Sequence, residues 1–95
     1  MVFDISKVEG IGEFEKKTEK EREIFLREGK AFLVVNKNTI EVRSDEKLMA
    51  LLKEKYESVM ESRYFGRGGI EIVLAGQLSE QELLDLVILS YNMTS

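Results

Sequence analysis

Arg63 and Arg67 bracket the aromatics Tyr64 and Phe65, a pairing of cations with flat rings of the kind that grips nucleic acid. Lys30 and Lys37, in neighbouring turns, would extend that patch. The plainer alternative is a strand that buries its rings and leaves its arginines in water, because two arginines fall short of the several phosphate contacts that usable affinity takes. Gly66-Arg67-Gly68-Gly69 is the one glycine-rich segment. A phosphate cradle there would need a Gly-Lys-Ser/Thr ending and a helix after it, but Ile70 to Leu74 reads as a strand, so a hairpin turn is expected. Lys16, Lys17, Lys20 and Arg22 form the densest basic run and interleave with Glu13, Glu15, Glu19, Glu21 and Glu23, which makes a charge-balanced, solvated face. Asp45 with Glu46, and Glu80 with Glu82, fall in the first turns of predicted helices, where capping and the helix dipole already account for them.

Other chemistries are thinly represented. The chain has no cysteine and no histidine, which removes disulfides, thiolate metal sites, a cysteine nucleophile and the commonest general base near neutral pH. No catalytic residue, metal or cofactor is expected. No apolar run approaches the roughly 20 residues that span a bilayer, and Met1-Val2-Phe3-Asp4 lacks the basic start and apolar run of a signal peptide. A soluble, cytoplasmic protein is expected, without a membrane partner.

At 95 residues with 43% apolar composition, one domain with one core is expected. Formal net charge is −4, and its distribution matters more than the sum. All 14 basic residues precede residue 70, whereas Glu71, Glu80, Glu82 and Asp85 make the C-terminal stretch purely acidic and unfriendly to phosphate.

The elements that must position these residues are legible to different degrees. Asp4 is placed to cap a single turn through Ile5 to Val8, ended by Gly10. Residues 1–20 otherwise read as a weakly structured arm, with Glu13 to Glu21 a solvated arm or edge. Ile24 to Leu26, Ala31 to Val35 and Thr39 to Val42 read as three antiparallel strands, turned at Gly29-Lys30 and at Asn36-Lys37-Asn38 by left-handed conformations. The middle strand, apolar on both faces, should be central. Ser44 or Asp45 caps a helix whose apolar positions Leu48, Leu51, Leu52, Tyr56, Val59 and Met60 recur at helical spacing. A second hairpin follows, from Ser62 to Phe65 and on through the glycines, with Ile70, Ile72 and Leu74 facing one side and Glu71 and Val73 the other. Ser79 starts a last helix through a capping box with Glu82 and a staple between Leu78 and Leu83. The expected fold is α+β with an antiparallel sheet, in the order β-β-β-α-β-β-α.

These motifs, in this order, resemble the MmcQ/YjbR-like family of small bacterial and archaeal proteins, from about Gly10 to Tyr91. The residues that carry the resemblance are Gly29-Lys30-Ala31-Phe32, the helix from Leu48 to Tyr56, Ser62-Arg63-Tyr64 with Arg67 and Ile70-Glu71-Ile72-Val73-Leu74, and Leu83 to Ser90-Tyr91. The resemblance implies a two-layer α/β sandwich and DNA as a partner. Two departures stand out. The family's longer opening helix shrinks here to a few residues, and its Lys-x-x-Trp-like stretch is replaced by Arg67-Gly68-Gly69-Ile70.

Two readings of function follow. One is a non-enzymatic module that meets nucleic acid through Arg63, Arg67, Lys30 and Lys37. The other is a protein-interaction domain that pairs with itself or another chain through Phe25, Val73, Leu84 and Ile88, on the expectation that helices cover only one face of the sheet.

Overall fold

The computed structural model describes residues 3–94, so Met1, Val2 and Ser95 lie outside it. Among the described residues the protein is α+β, with a six-stranded antiparallel open sheet and two α-helices. Strands β1 (Glu15–Glu19), β2 (Arg22–Arg27), β3 (Lys30–Val35) and β4 (Thr39–Arg43) precede helix α1 (Glu46–Lys55). Strands β5 (Val59–Ser62) and β6 (Gly66–Val73) then lead to helix α2 (Glu80–Asn92). In space the order is β1-β2-β3-β4-β6-β5. No helix among the described residues is long and apolar enough to cross a membrane.

The sheet has one strand more than the sequence suggests. Glu15 to Glu19, expected as an arm or edge, is the edge strand β1, paired in register from Glu15 with Leu26 to Glu19 with Arg22. Its side chains are mostly exposed, which is why no apolar alternation announces it. A strand of Glu-Lys-Lys-Thr-Glu also discourages pairing with another chain, because lysines and glutamates on an edge oppose strand addition.

The turns differ in detail from their expected chemistry. The β2–β3 turn is centred on Glu28 and Gly29, one residue earlier than read, and both have positive φ, 51° and 81°. Two consecutive left-handed residues match the right-handed twist of the flanking strands. Between β3 and β4 the Asn36–Thr39 hydrogen bond closes the turn, and no positive φ occurs there. Glycine was also read as the turn of the second hairpin. The observed turn is Arg63-Tyr64-Phe65, closed by Gly66 in the left-handed region at φ 61°, and the remaining glycines lie within β6.

Phe32 is the extra residue of a bulge in β3, since Phe25 pairs with Leu33 while Leu26 pairs with Ala31. The bulge lets two consecutive large residues, Phe32 and Leu33, join the same core. That core gathers Val35, Ile40, Val42, Ile70 and Ile72 from one sheet face with Leu83, Val87 and Tyr91 of α2. Asp45, not Ser44, caps α1 by accepting from the Leu48 amide at 2.7 Å. The helix stops at Lys55. Tyr56 is its C-cap, and Val59 and Met60, which continue the helical spacing, belong to β5. Leu51 faces outward rather than into the core. Ser79 and Glu82 form the expected capping box, and Leu78 and Leu83 are both buried behind it. Asp4 caps a single 3₁₀ turn over Ile5–Lys7.

Two residues near the end of α2 tie that helix to the sheet and to the segment before β1. Ser90 is fully buried; its hydroxyl donates to the Phe32 carbonyl at 2.6 Å and accepts from the Arg43 amide at 2.8 Å. Tyr91 donates its hydroxyl to the Glu13 carbonyl at 2.9 Å and lies beneath the Arg27 guanidinium, 4.4 Å from the ring centre. The segment before β1 is thereby fastened to α2.

Candidate functional site

The sheet face turned away from the helices carries Ile24 and Val34 on neighbouring strands. Beside them, in the middle of β4 and β6, Glu41 and Glu71 stand directly opposite one another. Two apolar side chains and two carboxylates on an open face would be costly or wet. Neither is the case, because the Arg63-Tyr64-Phe65 turn folds over them. Phe65 packs on Ile24, Ala31 and Val34 to make a small second core. Arg43 lies across the Phe65 ring at 5.0 Å and donates to the Ala31 carbonyl at 2.6 Å.

Gly69 makes this folding-back possible. A Cβ at that position would stand 2.5 Å from the Val42 carbonyl oxygen and 2.7 Å from the Phe65 Cβ, so any side chain would push the turn away. Gly69 thus answers to close approach between backbone and ring, whereas Gly66, with φ 61°, answers to turn geometry.

The carboxylates under the turn are sealed: Glu41 is 1% and Glu71 2% exposed. Like charges opposed across strands repel, and buried ones must be fully hydrogen-bonded. Glu41 meets that need with neutral donors. Its Oε1 accepts from the Ser62 hydroxyl at 2.8 Å and the Tyr64 amide at 2.9 Å, and its Oε2 from the Asn36 amide nitrogen at 2.9 Å. Glu71 takes the charge. Arg63 forks onto both its oxygens at 2.9 and 2.7 Å, and Thr39 donates at 2.8 Å. Burial pushes the Glu71 carboxyl up, yet the Arg63 fork and the Thr39 hydroxyl outweigh it and hold the group below the ordinary glutamate value.

Above the sealed carboxylates lies a hollow of about 830 Å³, bounded by the β1–β2 turn, the β3–β4 turn and Arg63. Four of its lining residues are basic (Lys20, Arg22, Lys37 and Arg63) and two are acidic (Glu19 and Glu21). Arg22 donates from Nε and Nη2 to a single oxygen of Glu19, Oε1, at 3.2 and 3.0 Å. Among the described residues, Lys20 and Lys37 have no carboxylate within ion-pair distance. A second recess of about 380 Å³, lined by Arg22, Asn36, Glu41, Arg63 and Tyr64, adjoins the first through three shared residues.

The four basic residues singled out from sequence are therefore divided. Arg63 and Lys37 share the hollow. Lys30 begins β3 and Lys37 lies in the turn beyond its other end, so the two are at opposite ends of the strand, and Arg67 lies at the Lys30 end, since the neighbouring Gly68 carbonyl accepts from the Ser44 amide just beyond β4. Arg63 also does a task unseen in the sequence, neutralising Glu71. In their place the fold brings in Lys20 and Arg22, which the alternating charges of 13 to 23 had disguised as solvated surface. Lys20-Glu21, the two residues between β1 and β2, includes no glycine, asparagine or aspartate, so no turn signal in the sequence marks them.

The apolar candidates are divided too. Phe25 is not free for a partner: it pairs with Leu33, is buried in the main core and meets Phe14 edge-on at 5.8 Å. Val73 is partly exposed, and Leu84 and Ile88 are partly buried against the core. In comparisons with protein-family models, curated proteins and solved structures, none matched this chain.

Proposed function

We propose that this chain is a non-enzymatic binding module, a two-layer α/β sandwich of YjbR-like type whose hollow takes a polyanion, with the nucleic-acid backbone as ligand. The observation that carries the reading is the convergence of Lys20 and Lys37, both without a carboxylate in ion-pair distance among the described residues, on the hollow that Arg22 and Arg63 also line. Free ammonium groups bind phosphate as point charges and release its counter-ions, which gives modest and strongly salt-dependent affinity. A net charge of −4 adds no long-range steering, so binding belongs to low ionic strength. A non-enzymatic role is favoured because the two carboxylates best placed for acid–base work, Glu41 and Glu71, are occupied by internal donors and closed to solvent. Docking of a second copy or another protein through apolar surface has less behind it, with Phe25 in the core and Ile24 and Val34 covered by Phe65.

Fluorescence anisotropy of labelled DNA at two salt concentrations tests the reading. Lys20→Glu/Lys37→Glu should weaken binding about tenfold or more at low salt and flatten the salt dependence by roughly 0.7 per lost contact on single strands. These lysines are the right probes because neither supports the fold, whereas Arg63 does. Absence of any saturable, salt-sensitive binding by the unaltered protein would remove the proposal.

A further inference from the structure

We propose that the recess beside Tyr64 receives an unpaired base while the larger hollow takes phosphates, so that the ligand is a single strand rather than a duplex. The inference rests on the polyanion reading and specifies its substrate.

Tyr64 is the one aromatic residue lining either recess, and it remains 40% exposed. The ring is held ready on several sides. Phe65 meets it edge-on, with centroids 5.0 Å apart and planes at 80°. The Arg22 guanidinium lies over one face of the ring, 5.2 Å from its centre, and is itself fixed by Glu19. Its backbone amide is tied to buried Glu41. A ring fixed in this way loses little freedom when a base stacks on it, and such platforms accept any base because every base has a π-face. Asn36 and Arg63 stand at the edge of the same recess; with Asn36 Nδ2 given to Thr39 and Glu41 and the Arg63 fork given to Glu71, they leave the Asn36 Oδ1 and the Arg63 Nη1 for the rim of a base.

A duplex cannot use this arrangement. Its base faces are already stacked, and reaching a side-chain recess would require a nucleotide to be turned out of the helix at a cost of a few kcal/mol. A single strand presents its bases freely while its phosphates follow the lysines, which is the usual division of labour in strand-binding grooves.

The test compares three labelled DNA ligands of equal length with the full chain at low salt: oligo-dT, an abasic single strand with the same number of phosphates, and a duplex. Oligo-dT should bind about 5–150-fold more tightly than the abasic strand, the span expected for one stacked base, and more tightly than the duplex. Tyr64→Ala should reduce oligo-dT to the abasic level, and Tyr64→Phe should not. Equal, salt-sensitive binding of dT and abasic strands would overturn the base recess and leave the polyanion reading standing. A preference for duplex would overturn it as well. Failure of all three ligands to bind would remove both. The comparison of ligands uses the unaltered protein, so it holds even where Tyr64→Ala disturbs the turn.

Discussion

Ser90→Ala is expected to lower unfolding free energy by about 2–6 kcal/mol, since it orphans two buried backbone groups at about 1–3 kcal/mol each. The hydroxyl serves the Phe32 carbonyl and the Arg43 amide at once, in a site with no exposure to water. Phe32 carries the bulge and Arg43 is paired with Gly69, so the loss should be felt on both faces of the sheet. Urea denaturation gives the size of the effect. Amide hydrogen exchange at Arg43 gives its origin, because that amide should exchange faster than those of the surrounding strands. A loss under about 1 kcal/mol would mean that the two groups find other partners.

Arg63→Met should destabilise the protein in a way that depends on pH with a particular sign. In the unaltered chain Glu71 has a folded-state pKa below its ordinary 4.5. The stabilisation it brings is therefore complete above about pH 4.5 and is lost as the pH falls through the depressed folded value. Methionine keeps much of the cover that the arginine stem provides but removes the charge and both hydrogen bonds. Burial then dominates, and the folded pKa of Glu71 rises above the unfolded one. A group of that kind contributes most below its unfolded pKa and loses its contribution as pH rises. The gap between variant and parent should accordingly be widest near neutrality, where Glu71 is buried without its counter-charge, and should narrow towards pH 4. Urea midpoints across pH 4 to 8 decide the matter, and a gap that stays constant over that range would show that the fork does not govern Glu71.

What the sequence discloses follows from the range over which each feature is determined. The capping box of Ser79 and Glu82 was legible because its partners lie three residues apart. Alternation in Ile40, Val42, Ile70 and Ile72 placed these residues correctly on one face, since the strand repeat is a local property. Strand β1 stayed hidden because an exposed edge needs no apolar side chains. Val59 and Met60 kept a helical spacing beyond Tyr56, where the chain turns to become β5. The site itself was half legible. Arg63, Lys37 and the Tyr64–Phe65 pair drew notice by type. Burial of Glu41 and Glu71 depends on a turn folding back across Gly69, and the approach of Lys20 depends on pairing between β1 and β2. The first is a tertiary event, and the second is a local hairpin whose Lys20-Glu21 turn lacks the residue types that announce one.

Strands β1 to β4 succeed one another as hairpins, so each can find its neighbour within a few residues. Helix α2 is tied instead to Phe32, 58 positions back, through Ser90, and to Glu13, 78 positions back, through Tyr91. Distant closures are slower than hairpins, so the meander should assemble first and α2 should dock last. During that interval Phe32, Ile40 and Val42 form an uncovered apolar face, and the half-built molecule is at its most prone to aggregate. Ser90 and Tyr91 would then act as a late-closing latch: in stopped-flow folding, substitutions there should hasten unfolding and leave the refolding rate almost unchanged.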